Sequence, residues 1–447
     1  MRRLKAIVVY LLTVSMTISL IACSNEVQLE SDSEKEQVDV IYCPTYNPED
    51  AQNAMLDFSV RLFKVSVNGS DKNRTSEKGN VLIAPTSVLI ALAMTANGAQ
   101  NETLAQMEEV FGIACEPLRD YMKLYIKNLP EEETYKLHMA NSIWIKDDEE
   151  FLVNEDFIEI NENFLDANVF EKEFSNKTLR EINDWVNEHT DGMIEEVLEE
   201  IPKDAVMYLI NALAFEAEWE EIYKETQIHH GKFTLVNGIT QDVEFMYSQE
   251  GFYLEDEKVT GFVKYYKDRK YAFVALLPNE GVSISDYLET MSGIKLKELL
   301  EHPQEIQVNA AIPKFEVEYN ALLNTTLKEM GMIDIFEPKK ADLSGIGTHT
   351  TGNLYVDKVI HKTHMQVDEK GTKAGATTAV EMKLESAVEM IETKTVRLDR
   401  PFIYMIIDCE MNQPVFMGTL EQVVPLARCG VVDICGYPTA EEIDSRN

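Results

Sequence analysis

Basic residues are scarce in this chain. Its 447 residues carry 41 Lys and Arg against 78 Asp and Glu, a formal net charge of −37. So acidic a surface repels a phosphate backbone, which excludes nucleic acid as a partner. A cationic partner would be steered in, and simple solubility accounts for the charge equally well. Cysteine is sparse too, with six in all. Cys43, Cys115 and Cys409 are scattered, and Cys429 and Cys435 are near enough in the tail to pair locally. Nothing has the spacing of a zinc site, so no metal and no cofactor is expected. Cys409, inside an apolar run, reads as a small buried hydrophobe. Catalytic signatures are missing: no Gly-x-Ser-x-Gly elbow, no His-Glu-x-x-His, no P-loop and no dinucleotide fingerprint. His229-His230 and the His361/His364 pair lack carboxylate partners at ligand spacing. The chain is therefore not expected to be an enzyme. After residue 22, no apolar run is long enough to span a bilayer.

The first residues read as a secretory signal. Arg2, Arg3 and Lys5 precede an uncharged apolar run from Ala6 to Ala22, somewhat short for a transmembrane anchor. It ends in Leu20-Ile21-Ala22-Cys23, the form of a bacterial lipobox. The expectation is a signal peptide over 1–22, lipidation (palmitate among the acyl chains) at Cys23, and an acidic tether over 23–48. Several acyl chains on one Cys, at about 0.8 kcal/mol per buried CH₂, anchor a protein stably. The protein is then expected outside the cytoplasm, on the membrane surface or secreted.

The remainder has the 45% hydrophobic and 27% charged content of a soluble globular protein. Met55, Phe58 and Leu62 recur at helical spacing. A helix is expected from Thr86 or Ser87 to Asn97-Gly98, another from Thr103 to Gly112, and a third over Glu181–His189. Ala205–Phe215 and Tyr271–Leu277 are nearly all apolar, as central strands covered on both faces are. Phe402–Ile407 and Val415–Met417 bracket a polar turn and read as a hairpin. The pattern predicts an α+β domain around large, mostly antiparallel sheets. Two polar residues stand in apolar company: Asn211 in the central strand, and His361 in a strand expected over Leu354–Val367. Taken alone, they read as two independently satisfied core polars.

The stretch from Glu369 to Arg400 is too long and too polar for a hairpin turn; connections beyond about 12–15 residues are usually functional or disordered. It opens with small side chains, Gly371-Thr372-Lys373-Ala374-Gly375-Ala376-Thr377-Thr378-Ala379. At period two, the even positions from Thr372 to Met390, including Leu384, Ser386 and Val388, carry no charge. Every charge falls on the odd set, with Lys373, Glu381, Lys383, Glu385 and Glu389. This is the alternation of a half-buried strand, and at about 3.3 Å per residue it would run roughly 60 Å. Two readings fit. The segment is either a loop that becomes a sheet strand when released, or a permanent edge strand with a Gly-rich start.

At this point the sequence resembles the serpin family. Val367-Asp368-Glu369-Lys370-Gly371-Thr372-Lys373-Ala374 is similar to the serpin hinge, and Asp399-Arg400-Pro401-Phe402 with Pro414-Val415-Phe416-Met417-Gly418 to its C-terminal signature. Asn80-Val81-Leu82-Ile83-Ala84-Pro85-Thr86-Ser87, Ala140-Asn141-Ser142-Ile143-Trp144, Ile182-Asn183-Asp184-Trp185, Leu209-Ile210-Asn211 through Trp219, Ile312-Pro313-Lys314-Phe315 and Ala341-Asp342-Leu343-Ser344-Gly345 match in order. The resemblance implies one α+β domain over 49–425, with three β-sheets, about eight or nine helices and an exposed reactive-centre loop at about 369–398. Residues 426–447 are an extension outside the resemblance. It also implies that Asn211 and His361 meet with Ser87 in a shutter where the main sheet opens, against the reading of two independent polars. Glu369 and Trp219 then lie in the breach at the sheet's upper end, where insertion begins.

The implied activity is inhibition by a monomer of serine proteases, with cysteine proteases a second class of target. The protease serine attacks the scissile carbonyl, and the cut loop enters the sheet before water can deacylate; serpin loop insertion is itself a known instance of strand addition. Glu369, Gly371, Thr372, Ala374, Gly375, Ala376, Thr377 and Thr378 fit the inhibitory hinge, which argues against the alternative of a non-inhibitory surface binding protein. Ala84 stands where the family often has Ser, and Met193 replaces a usual Lys. The loop is roughly five residues longer than usual. Counting from Glu369 places the scissile bond at Glu385-Ser386, and counting back from Pro401 places it near Met390-Ile391. Glu385 suits a Glu-specific protease, and Lys383 or Lys394 a trypsin-like one. Val388–Met390, with elastase-like or chymotrypsin-like targets, is the favoured reading.

Overall fold

The computed structural model describes residues 47–70, 75–76, 79–129, 135–203, 205–350, 352–372 and 392–424. Among them are nine α-helices: α1 (Pro48–Asn68), α2 (Pro85–Ala96), α3 (Asn101–Phe111), α4 (Cys115–Lys127), α5 (Glu155–Leu165), α6 (Asn176–His189), α7 (Ile284–Thr290), α8 (Gly293–Glu301) and α9 (Asn324–Met330). The main sheet has seven strands in the order β1 (Thr75–Ser76), β13 (Phe315–Leu322), β15 (Ile360–Val367), β16 (Gly371–Thr372), β6 (Met207–Glu218), β3 (Tyr135–Lys146) and β5 (Ala167–Lys172). A second sheet runs β2 (Val81–Ile83), β19 (Gln413–Leu420), β18 (Phe402–Asp408), β11 (Tyr271–Pro278), β10 (Val259–Tyr265) and β9 (Phe252–Glu255). A third runs β17 (Thr393–Arg397), β12 (Gln307–Pro313), β8 (Thr240–Glu250) and β7 (Ile228–Thr234), and β4 (Phe151–Val153) pairs with β14 (Gly347–His349). Among the described pairs, only β3–β5 and β12–β17 are parallel. This is the α+β arrangement expected from the sequence, with three large sheets and a two-stranded pair among the described residues.

The unbroken apolar runs go where burial on both faces requires. All eight residues of β11 are buried, as are those of β18 and β19. The second sheet therefore lies inside, against the main sheet on one side and helices on the other. Phe215 of β6 meets Tyr271 of β11 edge-on at 5.2 Å, and Phe315 of β13 meets Tyr404 of β18 at 5.1 Å. Each such ring contributes about 2–3 kcal/mol through burial alone. Helix α2 is buried almost all round, including Leu89, Ile90, Ala93 and Met94, which makes it an internal helix rather than an amphipathic surface one.

Several boundaries differ from the sequence expectation. α2 begins at Pro85, whose missing N–H is no loss in the first turn. α3 starts two residues before Thr103, and α6 starts at Asn176 behind a Ser175 cap that accepts from Lys177 N–H. β6 extends to Glu218. The strand expected over Leu354–Val367 is confined to Ile360–Val367. Residues before it spend backbone groups elsewhere: Val356 N–H bonds to Ile335 O, and Val359 exchanges bonds with Asn324 and Leu323. Cys409, beyond the end of β18, is a half-buried free thiol packed against the main core.

Candidate functional site

The hinge enters the sheet as a two-residue strand. Thr372 pairs with Val367 of β15 on one side and Ala217 of β6 on the other, and Gly371 pairs with Glu218. The turn before it is closed by Asp368, whose carboxylate accepts from the N–H groups of Lys370 at 2.8 Å and Gly371 at 3.2 Å. A Cβ on Gly371 would lie 1.9 Å from the Ala217 carbonyl oxygen, so only glycine fits between the strands. Thr372 is 2% exposed, and its hydroxyl lies 2.6 Å from the Tyr266 phenol oxygen.

Trp219 and Tyr223 hold the turn from the β6 side. The Trp219 backbone N–H donates to Lys370 O at 2.8 Å, its indole N–H to Asp368 O at 2.9 Å, and the Tyr223 N–H to Glu369 O at 2.9 Å. The indole stacks on Tyr266 at 4.5 Å. Glu369 is paired with Lys314 at 2.8 Å. Partial burial works against its charge, but the Lys314 hydrogen bond, a backbone hydrogen bond and the charges of Lys314 and Lys370 together outweigh it and hold the carboxyl below its ordinary range. Burial pushes the Asp368 carboxyl the other way. Glu369 and Trp219 both lie at this turn, with Tyr223 and Tyr266 as partners that the sequence did not single out.

Below Thr372, no described strand fills the position between β15 and β6. β15 and β6 are both antiparallel to β16, hence parallel to each other, and among the described residues no ladder joins them further down. Facing sheet edges of this kind are the template an added strand uses. The odd-numbered side chains of β15, His361, Thr363, Met365 and Val367, point inward. Ala374, Gly375, Ala376, Thr377 and Thr378, and the candidate bonds at Glu385, Ser386, Val388, Met390 and Ile391, lie outside the described residues, as does Cys23.

The lower part of this position opens into a cavity of about 870 Å³ between α2, β6, β15 and the chain segments before them. Ser87, Asn211 and His361 all line it. Asn211 and His361 are each tied to the start of α2 rather than to one another by any hydrogen bond. The Ser87 hydroxyl donates to the Asn211 carbonyl oxygen, and Asn211 Nδ2 donates to Asn141 Oδ1 at 2.6 Å, with Asn141 passing its own N–H to Leu165 O. Ala84 N–H donates to His361 Nε2 at 3.2 Å. Burial holds this imidazole's pKa down, to about 4 from its ordinary 6.5. Nε2 must be unprotonated to accept. Asn141, a link in this chain of bonds, was legible only as part of a motif.

The arrangement places buried, inward-facing side chains of β15 on one side of this position and β6 on the other. Comparison with known proteins places the chain in a family. The family model for serpins (serine protease inhibitors) matches residues 53–423. The thermophilic serpin tengpin is similar in two crystal states: its native-state structure is 44% identical, with a TM-score of 0.77 over 85% of this chain and 96% of that one. Its latent-state structure is 43% identical, with a TM-score of 0.73 over 86% and 100%. Leukocyte elastase inhibitor A of Mus musculus is 28% identical over 83% of this chain and 98% of its own length. The matched span takes in the main sheet and the seated hinge, and the chain belongs to the serpin family.

Proposed function

We propose that this chain inhibits serine proteases by offering the loop at about 369–398 as bait and inserting its cut N-terminal part between β15 and β6. The observation that carries this reading is the seated pair Gly371-Thr372 at the head of a position between β15 and β6 that no described strand fills. Continuing the same antiparallel register downward sets Ala374 between Met365 and Phe215, Ala376 between Thr363 and Leu213, and Thr378 between His361 and Asn211. The buried inward parity of Thr372 then carries the uncharged even positions into the core and leaves the charged odd ones outside. Thr378 brings a hydroxyl to the two polar strand residues, and Val380 and Met382 bring apolar volume to the cavity below. The inserted strand gains ladder hydrogen bonds and burial that the uncut protein lacks, so the active form is kinetically trapped.

The targets in this proposal are elastase-like or chymotrypsin-like enzymes, with cysteine proteases a second class. The inhibitor acts as a monomer, exported by its signal peptide and held at the bacterial membrane surface through lipid on Cys23. The test is incubation of residues 45–447 with elastase-like, chymotrypsin-like, trypsin-like and Glu-specific proteases, read by denaturing gel and intact mass. A complex that survives denaturation, with a released C-terminal peptide whose mass fixes the cut, is the expected result. Clean cleavage by every enzyme with no complex would leave a non-inhibitory serpin.

A further inference from the structure

One buried ion pair has no part in the insertion described above. Lys264, on β10, is 2% exposed, and its ammonium lies 3.0 Å from Glu250 Oε1. The same oxygen accepts from the Ser248 hydroxyl at 2.6 Å, and Ser248 Oγ is 3.2 Å from the Tyr223 phenol oxygen. The ammonium also faces the rings of Trp219 at 5.3 Å and Tyr223 at 4.5 Å. Taking two charges out of water is costly, and apolar residues of similar volume are often as stabilising or more so. Stability alone is thus a poor reason for this pair.

Its position supplies a better one. Trp219 and Tyr223 are the residues whose N–H groups hold the carbonyls of Asp368, Glu369 and Lys370, on the hinge side of the loop. Glu250 stands at the end of β8 opposite Val308 of β12, and Val308 stands opposite Lys394 of β17, where the chain returns on the loop's far side. The one ion pair therefore touches the supports of both loop ends.

We propose that Lys264 and Glu250 form a brace between these two supports, and that the brace sets how fast the cut loop enters the sheet. The proposal rests on the insertion reading given above. While residues beyond Thr372 descend, the turn at 368–371 must stay fixed so that each new pair extends the seated one. Lys264 steadies the two rings that fix it, and Glu250 ties Lys264 to the sheet carrying β17. Both residues are positioning residues; neither meets the protease.

The test follows insertion itself and needs no captured protease. The full chain receives a brief pulse of thermolysin, a metalloprotease that forms no acyl-enzyme, and the nick between 373 and 391 is verified by mass. Aliquots then pass into strong urea at increasing times; inserted molecules resist and the others unfold. Wild type is expected to convert. Lys264→Met and Glu250→Gln are expected to convert about fivefold more slowly, about 1 kcal/mol in the barrier. The double variant is expected to be no slower than either single one, as for a single shared interaction. Equal rates in wild type and variants overturn the brace, and so does a double variant slowed by the product of the two. A lower urea midpoint for the uncut variants with an unchanged conversion rate also overturns it, since that is a structural role. Should Lys264→Met fail to fold, Glu250→Gln, which keeps size and the Ser248 bond, carries the comparison with Tyr223→Phe. A wild type that never converts removes the insertion reading, and the brace with it, whatever the variants do.

Discussion

Thr372→Arg places a guanidinium where the seated hinge has its only buried side chain. The site is 2% exposed, bounded by Tyr266, which Trp219 stacks on and Phe215 meets edge-on. The substitution removes the 2.6 Å bond to Tyr266 and asks a charge to enter an aromatic pocket, a cost of about 3 kcal/mol or more. The alternative is withdrawal of the hinge strand, which forfeits its pairs with Val367, Ala217 and Glu218. Either way the first rung of insertion is blocked. At about 3 kcal/mol in the barrier, insertion slows at least about a hundredfold, and deacylation overtakes it. The assay is the ratio of denaturant-resistant complex to cleaved inhibitor on a gel, with any protease that wild type captures. Thr372→Val, which keeps shape and loses one hydrogen bond worth about 1 kcal/mol, should retain most of the complex. An undiminished yield from Thr372→Arg would refute the reasoning.

Three other outcomes are expected. Gly371→Ala should expel the same short strand, because its Cβ meets the Ala217 carbonyl oxygen at 1.9 Å; the variant should behave as a substrate, and a wild-type capture yield would contradict this. His361 makes stability depend on pH. The unfolded histidine takes a proton near pH 6.5 and the buried one only near pH 4, so stability is full above pH 6.5. It is lost as pH falls through that window, by about 3 kcal/mol in total; urea midpoints from pH 7 to pH 4 check this, and His361→Gln should flatten the slope. Cys23→Ala should move the protein from the detergent phase to the aqueous phase in a phase-separation assay of expressing cells. Equal partitioning of the two forms would count against the anchor.

The strands that need burial on both faces were legible because their composition admits no other use: Tyr271–Leu277 and Phe402–Ile407 fall within β11 and β18. Strand β3 was not. His138, Asn141 and Ser142 break its apolar pattern, and their place is set by pairing with β6 far along the chain. Asn211 and His361 stood out as polar residues in apolar runs, yet local pattern favoured independent partners. What joins them is α2, which presents Ser87 to one and the Ala84 N–H to the other; no spacing rule links residues that distant. Lys264 went unread because a lysine in a strand defaults to the surface. Burial in β10 does not alternate, since Gly261–Lys264 are covered on both faces, and no local pattern marks this lysine.

The central claim is that the cut loop becomes a strand between β15 and β6, and a crystal structure of the loop-cleaved chain tests it most directly. The account predicts a continuous strand from Gly371 downward, with Thr378 between His361 and Asn211 and Val380 and Met382 in the present cavity. A cleaved chain with no strand between β15 and β6 below Thr372, and with the cut end outside the sheet, would contradict it.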